Sequence, residues 1–234
     1  MRYEYHDSID EEQTAVLVKC FISMSINLAF VSLISNIHYP SLGALLGPLS
    51  SVGAFEGGFD DFSVTWYAKI GSSLILLLLL ESFAQLFEQS YDYHCYKPYI
   101  RCCKYASIDD QSSHRVSMQF DLDRLEVGPF FSTTMNLARL SSLLCFIMMY
   151  SPGIPIMTPI ALIVFYIYFK HDKLLLLRYY MKPDKIGEGP LRRVLDFMPF
   201  LVMLRLSIAC WMYSNPHILP TSSEVKLPMY QVDP

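Results

Sequence analysis

The chain has 234 residues, 53% hydrophobic and 17% charged, with a net charge of −4 and a mean hydropathy of +0.30. The acidic balance excludes the basic excess of a nucleic-acid binder, and a soluble domain would carry about a quarter charged residues. The length leaves room for five or six bilayer spans of about 20 residues each, but not for a sizeable extramembrane domain as well.

Segment 1–14 is acidic (Glu4, Asp7, Asp10, Glu11, Glu12) with Arg2 as its only cation. A secretory signal needs a basic start and a transit peptide is Arg-rich, so the first span is expected to remain as a signal anchor. That span covers 15–37, and Asp10 and Thr14 ahead of it suit a helix N-terminus. Residues 38–65 hold Pro40, Gly43, Gly47, Pro48, Gly57 and Gly58 and read as a loop, with an apolar piece at 42–49 able to dip into the membrane.

The second span, 66–87, opens on Trp66 and Tyr67, a pair suited to the membrane interface. A polar loop follows over 92–127. The third span, 130–150, runs into Ser151-Pro152-Gly153-Ile154-Pro155, which is too short and proline-rich for anything but a tight hairpin. A fourth span, 156–169, leaves through a charged segment, and a fifth, 194–212, closes near Trp211 and Tyr213. Residues 214–234 form an extended tail, of the kind ordered against a neighbour. The expected fold is an all-α polytopic membrane bundle of five helices, its membrane domain covering 15–213.

Basic loops face inward. Lys97, Arg101, Lys104, Arg115 and Arg124 lie between spans two and three; Lys170, Lys173, Arg178, Lys182, Lys185, Arg192 and Arg193 lie between spans four and five. The loop at 38–65 has no Lys or Arg, and the segment after Trp211 has only Lys226. The N-terminus is therefore expected inside and the C-terminus outside. The host membrane is a plasma or endomembrane, or the mitochondrial inner membrane if the chain is a respiratory subunit.

Ionisable groups at the bilayer centre cost at least about 2.5–3.5 kcal/mol. In the second span Glu81, Gln85, Glu88 and Asp92 fall at helical spacing on one face. Such a stripe would draw cations into a pore or vestibule; it would equally mark the helix leaving the membrane near Gln85. Lys19, Arg139 and Arg205 are candidate partners for Glu81, Lys19 being near enough to the interface to snorkel. Asn27, Ser23 and Ser25 could hydrogen-bond between helices. Cys102-Cys103, beside Arg101 and Lys104, fits palmitoylation. His94, Cys95 and His114 add zinc-ligand residue types without the C-x2-C pairing of a zinc site. No metal, cofactor or catalytic residue is expected, and no motif supports an enzyme.

The passage from Arg139 to Tyr180 resembles the helical hairpin of the OSCA-like, calcium-permeable stress-gated channels, relatives of the anoctamins. Tyr150, Ser151, Pro152 and Pro155 match that family's proline turn, and Lys170, Lys173 and Tyr179 match its basic exit. The run from Ser8 to Phe30, with Asn27, is similar to the span opening the second half of the family's membrane region, and Trp211 to Asn215 is similar to long protist relatives. The resemblance implies acidic pore residues at Glu81 and Glu88 and covers only the later membrane half of the family.

Three functions are compatible with these residues. The first is a channel-like protein whose Glu81 and Glu88 line part of a cation path. The second is a non-conducting accessory subunit of a larger membrane assembly or a homo-oligomer, with Glu81 paired to Arg139 or Arg205. The third is a lipid-handling protein that turns the stripe toward the bilayer.

Overall fold

A backbone without water must satisfy its own polar groups, which helices do segment by segment. The computed structural model describes residues 8–36, 38, 58–59, 61–96, 98–99, 130–181 and 187–214, and among these it is helical with no strand. Five long helices result: α1 (Ile9–Ile34), α2 (Val64–Cys95), α3 (Thr133–Tyr150), α4 (Met157–Arg178) and α5 (Gly189–Tyr213). α1 contains one π-helical turn at Ile26–Phe30, and α2 carries two, at Tyr67–Gly71 and Asp92–Tyr96. Of the five, α1, α2 and α5 are long and apolar enough to cross a bilayer. α3 is diluted by Asn136, Arg139, Ser141 and Ser142, and α4 by Lys170, Asp172 and Lys173.

The helices outrun the apolar stretches that announce them. Ser8, not Asp10 or Thr14, caps α1, its Oγ accepting from the Glu11 N–H at 3.2 Å, while Asp10, Glu11 and Glu12 fill the first turn. α4 continues past 169 to Arg178, and α5 begins at Gly189 with Pro190 in its first turn rather than at 194. Lys, Arg and Leu extend a helix almost as well as Ala, so apolarity marks where a helix would meet lipid and not where it stops. The candidate loop piece at 42–49, Cys102, Cys103, His114 and the tail from 215 lie outside the described residues.

Contacts give the helices alternating directions. Phe21 of α1 stacks on Phe197 of α5, with ring centroids 4.9 Å apart. Farther along, the Tyr150 hydroxyl at the end of α3 donates to the Ala29 carbonyl of α1 at 2.8 Å. α1, α3 and α5 thus run together toward one end, and α2 and α4 return. α3 is central, with Ala138, Cys145, Phe146, Met149 and Tyr150 all buried.

The Ser151–Pro155 turn lies at what we term the hairpin end. The Arg205 guanidinium donates to Ser151 Oγ at 2.6 Å, and the Tyr213 hydroxyl donates to the Pro152 carbonyl at 2.7 Å. A Cβ on Gly153 would lie 2.9 Å from the Tyr67 hydroxyl and 2.5 Å from Met212 Sδ, so α2 and α5 close over the turn and a side chain there would have to displace the ends of both. Around it Phe62 meets Trp66 and Trp211 edge to face, each at 4.8 Å. Arg205 serves the turn, which corrects the expectation of its pairing with Glu81.

Candidate functional site

The opposite, open end gathers the polar groups. On α2, Leu74, Leu78, Ser82 and Gln89 are buried. At 100° per residue the stripe of Glu81, Gln85 and Glu88 runs along the edge of that buried face. Glu81 and Glu88 are accordingly exposed and Gln85 is half-buried at the seam. Neither acid makes an ion pair among the described residues.

α4 buries Met157, Ala161, Val164, Tyr168 and Leu175, alternately four and three residues apart until the longer step to Leu175, which keeps one face toward the bundle. Tyr168 projects from this face into the seam. Its hydroxyl lies 3.1 Å from both the Ser82 carbonyl and Gln85 Oε1, so one hydrogen is shared between two acceptors on α2. Glu81 and Arg139, paired in the sequence-based expectation, form no ion pair with each other among the described residues.

One turn beyond, Ser90 Oγ and His171 Nε2 lie 2.8 Å apart, a second hydrogen bond between α2 and α4. His171 and Asp172 follow the apolar part of α4, which ends at Phe169. Burial, reinforced by nearby His94, holds the His171 imidazole below its ordinary range and so favours the neutral ring. Burial likewise raises the Asp172 carboxyl. Gln89 Oε1, His171 Nδ1 and Asp172 Oδ1 are enclosed without a hydrogen-bond partner among the described residues. Tyr93 and Tyr179 meet edge to face at 5.6 Å below them.

On the other side of α4 an open cleft of about 410 Å³ runs between α3 and α4, walled by Phe131, Leu140, Phe165 and Phe169, with Asp172 and Lys173 at its mouth. The layer around Tyr168 thus carries a phenol, an imidazole, two carboxylates, two amides and a guanidinium within a few turns. It can exchange hydrogen bonds between α2 and α4. No cluster of three or more metal-ligating side chains occurs among the described residues.

The remaining candidates scatter. Asn27 is exposed on the π-turn of α1, Lys19 is exposed near the start of that helix, and Arg139 is half-buried. Ser25 is buried. Pro152, Gly153 and Pro155 form the hairpin turn as expected. Sequence reading missed Tyr168, His171, Asp172 and Gln89. The periodic face of α4 could have singled out Tyr168; His171 and Asp172 looked like the solvated exit of a span. Lys69, exposed on the first turns of α2, was missed as well. Compared with protein-family models, with curated proteins and with solved structures, the chain matches none.

Proposed function

We propose that the chain is a channel-like membrane protein, similar to the later membrane half of the OSCA-like stress-gated channels, whose cation path follows the acidic edge of α2. The observation that carries this reading is the pair Glu81 and Glu88, exposed two turns apart on one edge, beside the hydrogen-bonded Tyr168 layer. Carboxylates left at that depth without a countercharge are costly against lipid. Water, cations or further membrane helices therefore lie against them, and the path is completed at that edge by another membrane segment, in this assembly or in a second copy. The proline turn, matched by Tyr150, Ser151, Pro152 and Pro155, adds the resemblance.

All five helices are assigned as spans under this reading, with the N-terminus inside and the C-terminus outside. The basic segment between α4 and α5 and the alternating helix directions support it. Cysteines placed at Ser8 and Ser214 should then react with an impermeant maleimide from opposite faces; labelling from one face would overturn the topology.

The functional test is cation flux into liposomes holding the purified assembly. Glu81→Gln with Glu88→Gln should reduce calcium or potassium flux at least about tenfold, a loss of the order expected when fixed charge is removed from a cation entrance. Unchanged flux would sink the proposed path. The second reading, a non-conducting subunit, expects Glu81 paired to Arg139 or Arg205, and Arg205 is instead committed to the hairpin turn. Stoichiometric copurification of other membrane proteins with no flux at all would select it.

A further inference from the structure

The contact between Ser90 and His171 fixes how α2 and α4 stand to each other. Their side chains meet at 2.8 Å, and nearer the hairpin end Tyr168 reaches Ser82 and Gln85, so the two helices run parallel and in register. Glu88 precedes Ser90 by two residues, and Lys173 follows His171 by two. Two residues turn a helical side chain about 200° around the axis. Glu88 therefore points away from α4 on the far flank of α2, and Lys173 points away from α2 on the far flank of α4. Glu81, nine residues before Ser90, shares the flank of Glu88, about 180° from the contact. All three are exposed, and none makes an ion pair among the described residues.

The two flanks agree in height as well as in charge. At about 1.5 Å per residue, Glu88 and Lys173 lie about 6 Å apart along the axes. The lysine stem spans that gap, because a helical side chain leans toward its helix N-terminus and so back toward Glu88. Farther into the membrane the α4 flank continues through Tyr166 and Leu162, 60% and 72% exposed. Opposite them the α2 flank carries the small, exposed Ala84 at nearly the height of Tyr166, leaving room for the ring.

We infer that copies of this chain join head to tail, the α2 flank of one seated on the α4 flank of the next, with Glu88 of one copy paired to Lys173 of its neighbour. Each chain carries both halves of the contact at one depth, so a second copy meets the charge requirement of both flanks. Such an interface is heterologous and leaves a flank free until a ring closes. Copies that share one orientation in a bilayer are related by rotation about its normal, which closes a ring of three or more. Pairing offsets the cost of a carboxylate and an ammonium left facing lipid. Glu81, two turns deeper, stays at the seam between copies. The inference rests on the span assignment proposed above and names the segment that covers the acidic edge.

The test is the mass of the purified full chain, released from nanodiscs and read by native mass spectrometry, which needs no flux. The parent chain should form a closed oligomer of three or more copies. Glu88→Lys and Lys173→Glu should each lower its fraction at least about tenfold, since each sets like charges face to face. The two reversals together should restore it. Should a reversal misfold, coexpressed Glu88→Cys and Lys173→Cys chains, with the exposed native cysteines replaced by serine, should cross-link to each other at least about tenfold more than either does to itself. A monomer, an oligomer indifferent to the single reversals, a double reversal that restores nothing, or equal cross-linking of like and unlike chains would overturn the interface. So would a different membrane protein in place of further copies. An intact ring whose flux ignores Glu81→Gln sinks the proposed path and leaves this interface standing; a monomer with Glu81-dependent flux does the reverse.

Discussion

At the hairpin end, Phe62, Trp66 and Trp211 interlock around a turn that Arg205 and Tyr213 pin by its own backbone and hydroxyl. At the open end α2 and α4 meet through Tyr168, Gln85, Ser90 and His171, and two clefts separate the neighbouring helices. Both ends contain charged residues. At the first, the guanidinium points into a turn that satisfies it; at the second, Gln89 Oε1, His171 Nδ1 and Asp172 Oδ1 have no hydrogen-bond partner among the described residues. Within lipid, packing and interhelical hydrogen bonds replace the hydrophobic effect as the force between helices. An end dense in both is a clamp, whereas an end joined by a few polar bonds and leaving acceptors open has capacity to bind.

That contrast can be broken by substitution, and the largest effect is expected at the clamp. Trp66→Ala removes a buried ring that two helices share and should cost about 3–5 kcal/mol of unfolding free energy. The midpoint of unfolding in detergent checks this, and a loss below about 1 kcal/mol would mean that the aromatic cluster does not hold the bundle. Arg205→Met should follow at about 1.5–3 kcal/mol, the range for hydrogen bonds to charged groups. If Arg205 were instead an electrostatic partner of Glu81, Glu81→Gln would rescue it, and no rescue is expected.

Tyr168→Phe deletes only the shared hydroxyl of the open end and should cost about 0.6–1.7 kcal/mol, as for other interhelical hydrogen bonds in membranes. Its effect on cation flux should be larger than its effect on stability; the reverse would make the polar layer a second clamp. The smallest effect is pH dependence. Because the folded state holds His171 below its ordinary value, the unfolded chain takes up the proton first. His171 thus contributes stability that is complete above about pH 6.5 and is lost as the pH falls through the folded value. The raised carboxyl of Asp172 acts oppositely, costing stability as the pH rises above its ordinary range toward neutrality. Thermal melts from pH 7.5 to 5.0 should fall for the parent chain and fall less for His171→Asn.

Local residue patterns carried much of this. Trp66 and Trp211 at the margins of apolar stretches and the Ser151–Pro155 turn are properties of neighbouring residues, so helix count and order could be read from them. The stripe of Glu81, Gln85 and Glu88 was legible for the same reason, since helical periodicity is local. Which edge of α2 the stripe occupies was not legible, because that depends on how α4 rotates to bury Tyr168. The partner of Arg205 was equally hidden: Ser151 lies 54 positions away, and only the return of α5 beside the turn brings them together.

Sequence by itself therefore determined that this is a chain of apolar helices joined by a proline hairpin, because transfer from water and backbone satisfaction act residue by residue. Tertiary structure decided which polar groups are used up and which stay open. Desolvation and hydrogen-bond geometry depend on neighbours far apart in the chain, and these place Arg205 in a closed turn and leave Glu81 and Glu88 exposed on the edge of α2.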